Sequence, residues 1–467
     1  MRALTIIFAG PGIMRADIIV SGCAVLTMGR AGIIERGIIA IRDGKILYVG
    51  GESEAPSFES DEIIDGRGKI AMPGLINCHT HIAMTLFRGV AEDKELSTWL
   101  RETIWPLESK LKPSDVYYGA LLGFVEMIKS GTTCLLDMYF YEDIVARAAE
   151  ESGMRCVLAP GIFDAGHKML GSILLRRALK FVKKYHGKGS GRIHAMLGPH
   201  AVYTCSPDLL RMIGEEAARL NIGVHIHLAE SESESINIRR IYGKSEVELL
   251  DEVGLLRPNL VAAHCIHLSN HDVSLMAKKG VKVVYNPISN MKLSSGIPRV
   301  KDLLDAGLTV GLGTDGPASN NCLDMFETMK VAALLQKALY RDPRVLPAKK
   351  VVEMATIDGA RVLGLDHFIG SIEVGKRADI ILIDVNKPHL TPLHDIYAAL
   401  VYSARGSDVD TVIIDGKVVM RGRLIETVDE HEVMRKATET SQSLLSRKSL
   451  RGSLIKRLLR RNKDIGD

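Results

Sequence analysis

The stretch that decides the fold is Ala71-Met72-Pro73-Gly74-Leu75-Ile76-Asn77-Cys78-His79-Thr80-His81, an apolar run that ends in two histidines. In a β-strand, residues i and i+2 point to the same face, so both imidazoles would leave one side of the backbone together. Neutral imidazole is the commonest metal-binding side chain in proteins. The pair therefore predicts half of a metal site, provided that further ligands converge on it from other strands.

Seven more apolar segments follow, and most are near-continuous hydrophobic runs, as expected of strands buried on both faces. With the first segment they occupy residues 71–81, 131–139, 155–164, 192–201, 222–230, 260–268, 281–290 and 308–316. Helical patterns separate most of them, for example residues 114–130 and the helix that Ser206-Pro207-Asp208 opens. Eight strands alternating with helices predict a (β/α)₈ barrel of the TIM type over residues 71–374. Residues 327–339 and 347–363 supply its closing helices.

Short β-strands dominate both ends of the chain. An Asp-Gly-Lys turn, typical of a β-hairpin, occurs at Asp43-Gly44-Lys45 and again at Asp415-Gly416-Lys417. We therefore expect residues 1–70 and 375–425 to form one composite β-sandwich domain. The sequence of residues 426–467 predicts a helical, basic extension. We favour a terminal helix that is exposed to solvent over a segment that binds RNA or a membrane.

The composition is that of an ordinary globular protein, with 46% apolar and 25% charged residues in a chain of 467. A formal net charge of +4 is too small to indicate binding of nucleic acid. The seven cysteines are scattered and form no CxxC pair, which indicates reduced thiols. No apolar run reaches ~18 residues, and the weakly signal-like residues 1–10 lack a cleavage-type ending. We therefore expect a cytoplasmic protein that does not associate with membranes.

Polar residues at the carboxyl ends of the predicted strands are the candidates for chemistry, because barrels of this type carry their active sites there. The candidates are His79, His81, His200, His225, His227, Glu230, His264 and Asp315. Unpaired buried imidazoles and carboxylates are costly, so packing alone does not explain such groups at five strand ends. A catalytic metal centre does explain them.

The metal ligands can be assigned in part from the spacing. His79 and His81 would supply two nitrogens, a histidine of the fifth strand a third, and Asp315 an oxygen, which leaves a position open for water. His225 and His227 share one face of the fifth strand, so periodicity does not choose between them. We prefer His227 because it lies closer to the barrel mouth, and His225 is then a layer residue of the barrel interior.

Glu230 follows His227 by three residues, on the loop above the predicted metal. A carboxylate there could relay a proton without binding the metal, as the catalytic glutamate of zinc deaminases does. The alternative is a solvated loop acid, since Glu232 and Glu234 follow at once. A metal ion would lower the pKa of a bound water towards ~7, so the cluster predicts hydrolytic chemistry.

Several of these motifs together resemble a known family. The general ones are the His-x-His pair, the His-x-x-Glu of residues 227–230, and Thr314-Asp315-Gly316; the more specific ones are Trp105-Pro106-Leu107-Glu108, Gly198-Pro199-His200-Ala201 and Tyr203-Thr204-Cys205-Ser206. From about residue 37 to about residue 425 the chain resembles the amidohydrolase superfamily. Within it, the chain is most similar to the 5′-methylthioadenosine/S-adenosylhomocysteine deaminases, including the archaeal 5′-deoxyadenosine deaminases.

The resemblance implies a hydrolytic deaminase that converts 5′-substituted adenosines to their inosine counterparts and ammonia. The implied substrates are 5′-deoxyadenosine, 5′-methylthioadenosine, S-adenosylhomocysteine and adenosine itself. The implied metal is zinc, with iron(II) or manganese(II) as alternatives, and its implied ligands are His79, His81, His227 and Asp315. Relatives with two metals bridge them with a lysine on the fourth strand, where this chain has Leu197-Gly198-Pro199-His200, so one metal per subunit is expected.

The resemblance also implies roles for individual side chains. Asp315 would take a proton from the attacking water, Glu230 would deliver one to N1 of the adenine, and His264 would contact the tetrahedral centre. Further implied contacts are Glu108 to the ribose hydroxyls, His200 to the purine, Trp99 in the pocket wall and, more weakly, Ser319 to the purine. Glu108 could instead be an exposed helix acid, and Trp99 could be core packing. A homo-oligomer, a tetramer or a dimer, is expected.

Two departures from the family pattern leave alternatives open. Members that prefer S-adenosylhomocysteine hold its carboxylate with arginines, but Arg176 and Arg177 sit in a stretch that does not align cleanly, and the basic tail after about residue 440 lies outside the pattern. One alternative is an aminohydrolase or chlorohydrolase acting on a free base or a triazine. The other is a scaffold protein without catalysis, although such proteins lose metal ligands and this chain keeps a full set.

Overall fold

The computed structural model describes residues 4–6 and 13–447. Six strands precede the barrel: β1 (Leu4–Ile6), β2 (Ile13–Leu26), β3 (Ile33–Arg42), β4 (Lys45–Gly51), β5 (Ser57–Asp65) and β6 (Lys69–Pro73). The eight barrel strands are β7 (Leu75–Thr80), β8 (Thr132–Tyr139), β9 (Arg155–Ile162), β10 (Ile193–Pro199), β11 (Gly223–Leu228), β12 (Leu260–His264), β13 (Lys282–Tyr285) and β14 (Thr309–Leu312). Four strands follow it: β15 (Ile380–Asp384), β16 (Val409–Ile414), β17 (Lys417–Arg421) and β18 (Leu424–Ile425).

Helices lie between the barrel strands and after the last of them. The longer ones are Pro113–Lys129, Glu142–Ser152, Lys168–Tyr185, Pro207–Leu220, Glu232–Tyr242, Asn270–Lys279, Met325–Tyr340 and Glu430–Ser446. The shorter ones include Ile82–Phe87, Leu96–Thr98, Trp99–Ile104, Trp105–Glu108, Lys188–Gly191, Glu246–Glu252, Pro287–Lys292, Val300–Asp305, Pro317–Asn320, Ala348–Met354, Ile357–Leu363, Pro388–Leu390, Ile396–Ala398, Ala399–Ser403 and Gly406–Asp408. No helix of the described chain has the length and apolar character that crossing a membrane requires.

The predicted parallel barrel is confirmed. Strands β7 to β14 lie side by side in chain order, and each pairs in parallel with the next. The first and last strands are joined at their carboxyl ends, where the Asp315 N–H donates to the His79 carbonyl at 2.9 Å. The side chain of Asn77 also donates to the Thr314 hydroxyl at 2.7 Å. The barrel therefore closes at the level of the predicted metal ligands.

Both chain ends contribute to one mixed sheet of ten described strands. Strand β6 joins the strands of the two chain ends, because β6 pairs in parallel with β2 on one side and antiparallel with β15 on the other. Side chains from both ends share a buried apolar cluster that includes Ile39 and Ile413. The composite arrangement of the two ends is thus present, and it connects directly to the start of the barrel.

All eight barrel strands are shorter than the segments that the sequence indicated, and two of those segments also change structure within their length. The segment 71–81 is divided: β6 ends at Pro73 and β7 begins at Leu75. Gly74 makes this transition possible, since a Cβ there would lie 2.1 Å from the hydroxyl oxygen of Thr133. The segment 281–290 is strand only to Tyr285, because Pro287 lacks the N–H that a strand needs and favours the first turn of a helix.

The last helix of the described chain is Glu430–Ser446. It packs against the helix Pro113–Lys129, and Arg447 donates to Asp115 at 2.9 Å. The expectations about residues 1–10 and about the basic tail after Arg447 fall outside the described residues, apart from residues 4–6.

Candidate active site

The barrel strands bring the predicted ligands to one place. His79 lies near the end of β7 and His81 follows that strand, His227 lies near the end of β11, and Asp315 follows β14. One ligand atom each of His79, His81 and His227 lie within 4.8 Å of one another, and the same holds for His79, His264 and Asp315. Oδ1 of Asp315 lies 3.3 Å from Nε2 of both His79 and His81. The four predicted ligands therefore share one cluster.

The hydrogen bonds of His81 and His227 decide which ring nitrogens face this cluster. Nδ1 of His81 donates to the Met138 carbonyl at 2.6 Å, and Nδ1 of His227 donates to the His200 carbonyl at 2.7 Å. A carbonyl only accepts, so in the neutral rings both Nε2 atoms carry lone pairs. Burial lowers the pKa of both histidines and so favours the neutral rings.

The two Nε2 atoms of His81 and His227 lie 3.3 Å apart. Two lone pairs at that distance repel each other, and a cation between them would turn the repulsion into coordination. Nε2 of His79 is buried and has no hydrogen-bond partner among the described residues. Three imidazole nitrogens and one carboxylate form a donor set that suits a divalent metal ion, so the residues present fit such a group.

Asp315 is held rigidly by its neighbours. The Ser289 hydroxyl donates to its Oδ2 at 2.6 Å, and the Gly316 N–H donates to its Oδ1 at 2.7 Å. Asp315 and His264 both have positive φ angles, 63° and 72°, which are rare for residues other than glycine. Strained backbone of this kind is concentrated at functional sites, where the surrounding structure fixes it.

Glu230 lies beside His264 at the edge of the cluster. Its Oε2 is 3.7 Å from Nε2 of His264, and its backbone N–H donates to Glu234 at 3.2 Å. Nδ1 of His264 pairs with Oδ1 of Asn290 at 2.8 Å. Burial, and secondarily the charge of Asp315, raise the pKa of Glu230 well above its usual range. Glu230 is therefore a buried acid and not the solvated loop acid of the alternative interpretation.

A pocket opens above the cluster and reaches the segment 96–108. The residues that line it include Leu96, Trp99, Leu100, Ile104, Glu108, Tyr139, Phe140, Phe163, His200, Tyr203, Glu230, His264, Leu293 and Asp315. The walls are mainly apolar and aromatic. The carboxyl groups in the lining belong to Glu108, Glu230 and Asp315, and no lysine or arginine of the described chain is part of it.

Two groups in the wall lack a strong protein partner. Trp99 is 5% exposed, and its indole N–H has no hydrogen-bond acceptor within residues 13–447. Burial raises the pKa of Glu108 to about 8, and the nearby Tyr139 hydroxyl partly opposes that rise. Such groups gain a partner when a polar ligand enters the pocket.

Some candidates lie elsewhere. Arg176 and Arg177 are exposed on the helix Lys168–Tyr185 and are not in the pocket lining. Ser319 is buried, and its hydroxyl donates to the Gly316 carbonyl at 3.1 Å. His225 is fully buried below His79 in the barrel interior, as expected of a layer residue.

Sequence reasoning missed the residues that orient the cluster. Ser289 and Asn290 were assigned to a strand, whereas they lie on the helix Pro287–Lys292, which turns them towards Asp315 and His264. Pro287 was the available signal, because proline seldom continues a buried strand. Phe140 and Phe163 line the pocket from loops, and spacing alone does not mark such residues.

Comparison with known proteins agrees with this geometry. A model of the amidohydrolase family matches residues 70–419. A 5-methylthioadenosine/S-adenosylhomocysteine deaminase of Desulforudis audaxviator is 51% identical over 410 residues, which cover 88% of this chain and 95% of that protein. A 5′-deoxyadenosine deaminase of Methanosarcina acetivorans is 47% identical over 433 residues, or 92% of this chain and 99% of that one.

Among solved structures, an adenosine deaminase from Xanthomonas campestris with bound zinc superimposes with a TM-score of 0.90 at 32% identity. The match covers 93% of this chain and all of that one. The atrazine chlorohydrolase TrzN from Arthrobacter aurescens, at 24% identity and a TM-score of 0.83, shares the fold. On the family match and on these relatives, the chain belongs to the amidohydrolase family.

Proposed function

We propose that this protein is a metal-dependent hydrolytic deaminase that converts 5′-substituted adenosines to the corresponding inosines and ammonia. The observation that carries the proposal is the cluster of three imidazole nitrogens and Asp315 with the buried acid Glu230 at its edge. The names of the relatives from Desulforudis and Methanosarcina support the same substrate class.

His79, His81, His227 and Asp315 would hold one divalent metal ion. A nitrogen-rich set with a single carboxylate favours zinc, with iron(II) and manganese(II) as alternatives. Such an ion would supply a water whose pKa is lowered towards ~7. The chain's own residues carry out the remaining steps.

Asp315 accepts a proton from the attacking water, because Ser289 and Gly316 hold its carboxylate beside the cluster. Burial raises the pKa of Glu230 and favours its protonated form, which donates a proton to N1 of the purine as the water oxygen bonds to C6. His264 stabilises the tetrahedral centre through a hydrogen bond. The proton held by Asp315 passes to the amino group, the C6–N bond breaks, and ammonia leaves. The hydroxyl proton of the tetrahedral centre returns to Glu230, which restores the acid and leaves the C6 carbonyl of the inosine.

The pocket wall binds the nucleoside. Glu108, once ionised, can accept hydrogen bonds from both ribose hydroxyls. His200 lies over His227, with ring centroids 4.9 Å apart, which puts it within reach of a purine bound above the cluster. Trp99 closes the pocket and offers its unpaired N–H to the ligand.

The lining favours an uncharged substituent at the 5′ position. The acidic side chains of the lining are Glu108, Glu230 and Asp315. No lysine or arginine of the described chain lines the pocket to neutralise the carboxylate of S-adenosylhomocysteine. We therefore propose that 5′-deoxyadenosine and 5′-methylthioadenosine are preferred to S-adenosylhomocysteine, and that adenosine is a weaker substrate.

Three further expectations remain proposals. The protein acts in the cytoplasm as a homo-oligomer, either a tetramer or a dimer. Residues 71–374 form the catalytic unit, residues 1–70 and 375–425 form the composite β-domain, and residues 426–467 form the extension. Size-exclusion chromatography with light scattering tests the oligomeric state.

Ammonia release tests the function. Purified protein loaded with zinc is assayed against 5′-deoxyadenosine, 5′-methylthioadenosine, S-adenosylhomocysteine, adenosine, adenine, guanine, cytosine and a chlorotriazine. We expect turnover of the nucleosides only. Turnover of free bases alone, or of the triazine alone, would contradict the proposed substrate class.

A further inference from the structure

The imidazole of His225 forms a hydrogen bond with the proposed metal ligand His79, at 2.7 Å between Nε2 of His225 and Nδ1 of His79. We propose that His225 is a positioning residue: it fixes the tautomer of His79, so that Nε2 of His79 presents its lone pair to the metal. The inference rests on the proposed function, because it gives His225 a role in the metal site of that function.

Three groups are hydrogen-bonded in a row: His79, His225 and the backbone carbonyl of Val261. The Val261 carbonyl fixes which atom donates in each of the two hydrogen bonds. Nδ1 of His225 lies 3.0 Å from the carbonyl oxygen of Val261, which can only accept, so this nitrogen carries a proton. In a neutral ring Nε2 of His225 then has the lone pair and accepts from Nδ1 of His79. His79 is left with a bare Nε2, which lies 3.3 Å from Asp315 at the cluster.

The alternative, a doubly protonated His225, would put a charge in the barrel interior. His225 is completely buried, and the partners recorded for its two nitrogens are a carbonyl oxygen and another imidazole. A buried charge without a carboxylate partner is strongly unfavourable. The neutral relay from His79 through His225 to Val261 is therefore the arrangement that the surroundings support.

His79 differs from the other two histidine ligands in this respect. His81 and His227 donate from Nδ1 to backbone carbonyls, which no side-chain substitution removes. The acceptor of His79 is a side chain, and a substitution can delete it. Outer hydrogen bonds of this kind orient metal-bound histidines, and their loss typically weakens metal binding about 10- to 100-fold.

Two variants of similar size separate positioning from packing. His225→Leu fills the space but offers His79 no acceptor. His225→Gln places an amide oxygen at about the reach of the former Nε2 and restores the acceptor. If His225 only fills the barrel interior, the apolar variant should be tolerated at least as well as the amide.

The measurement is the zinc dissociation constant of the purified full-length protein, from competition with a chromophoric chelator, alongside kcat. We expect a 10- to 100-fold weaker affinity in His225→Leu and a change of less than about fivefold in His225→Gln. Equal affinities of both variants, or wild-type affinity in His225→Leu, would overturn the inference.

A second comparison applies if His225→Leu does not fold. His225→Asn keeps an amide that can donate to Val261 but is too short to reach His79, so it should bind zinc more weakly than His225→Gln. Equal binding by these two amides would also overturn the inference. A wild-type protein that binds zinc but deaminates no nucleoside would refute the proposed function while leaving the metal-binding comparison valid.

Discussion

The floor and the wall of the pocket are built in opposite ways. The floor consists of His79, His81, His227, His264 and Asp315, and each has a hydrogen-bond partner that fixes its orientation. The wall, the segment 96–108 with the aromatic residues facing it, contains the indole N–H of Trp99 without any acceptor in the described chain. The hydrogen bonds that orient the floor lie within the protein, and Nε2 of His79 is left unpaired for the proposed metal. In the wall, the Trp99 N–H is left unpaired for the proposed substrate.

The difference follows from where the two regions lie in the fold. The floor residues stand at the ends of hydrogen-bonded parallel strands, which hold their Cα atoms in register. The wall segment is a succession of short helices that includes the wide π-helical turn Trp99–Ile104, a geometry often found at functional sites. We infer that the floor performs one reaction and that the wall selects its substrate.

The largest effect is expected in the floor. His227→Ala should abolish both zinc retention and turnover, because it removes a ligand and leaves the others too few to hold the ion. His194→Ala is the matched control, since His194 lies on β10 at the opposite end of the barrel. Metal analysis and ammonia release after desalting measure both properties. Full zinc retention in His227→Ala would show that the floor is wrongly assigned.

Glu230→Gln separates the metal from the proton transfer. We expect zinc content to stay at the wild-type level and kcat to fall about 10²- to 10⁴-fold, because the amide cannot deliver a proton to N1. The exposed neighbour Glu232→Gln is the control and should retain activity. Loss of zinc in Glu230→Gln equal to that in His227→Ala would remove the distinction between ligand and acid.

Glu108→Gln tests the wall through the pH dependence of KM. With a pKa of about 8, Glu108 is protonated below that pH and becomes a carboxylate above it. If the carboxylate accepts from the ribose hydroxyls, KM of the wild type should fall as the pH rises from 6 to 9. In Glu108→Gln, KM should be about 10-fold higher at pH 9 and independent of pH. Glu102→Gln, exposed on the same segment, is the control; an unchanged pH slope in Glu108→Gln would refute the contact.

The smallest effect is expected outside both regions. Arg176→Ala with Arg177→Ala should change kcat/KM by less than about twofold for every nucleoside, because both side chains are exposed on the helix Lys168–Tyr185. Parallel assays with 5′-methylthioadenosine and S-adenosylhomocysteine provide the internal control. A loss confined to S-adenosylhomocysteine would mean that these arginines reach the ligand and that the wall extends to this helix.

The sequence predicted more residues of the floor than of the wall. The floor was predictable because alternation in strands and the rule that barrel sites lie at carboxyl ends put His79, His81 and Asp315 together. Periodicity specifies a face but not a partner, so it placed His225 in the interior without revealing its hydrogen bond to His79. The hydrogen bond from Ser289 to Asp315 was not predicted, because the helix Pro287–Lys292 was interpreted as the end of a strand.

The wall depends on loops and short helices whose shape is set by tertiary packing. For Trp99 and Glu108 a role followed only from the family motif, and no spacing rule would have produced it. Phe140 and Phe163 follow strands β8 and β9, yet nothing in their local sequence distinguishes them from ordinary core residues. Loops lack a period from which the direction of a side chain could be predicted.

The most direct test of the central claim is ammonia release from 5′-deoxyadenosine by protein stripped of metal, and then by the same protein after one equivalent of zinc per chain is added. The account predicts no turnover in the stripped protein, recovery that saturates at one equivalent, and no turnover of adenine under the same conditions. Full activity without metal, or release of ammonia from adenine but not from 5′-deoxyadenosine, would contradict it.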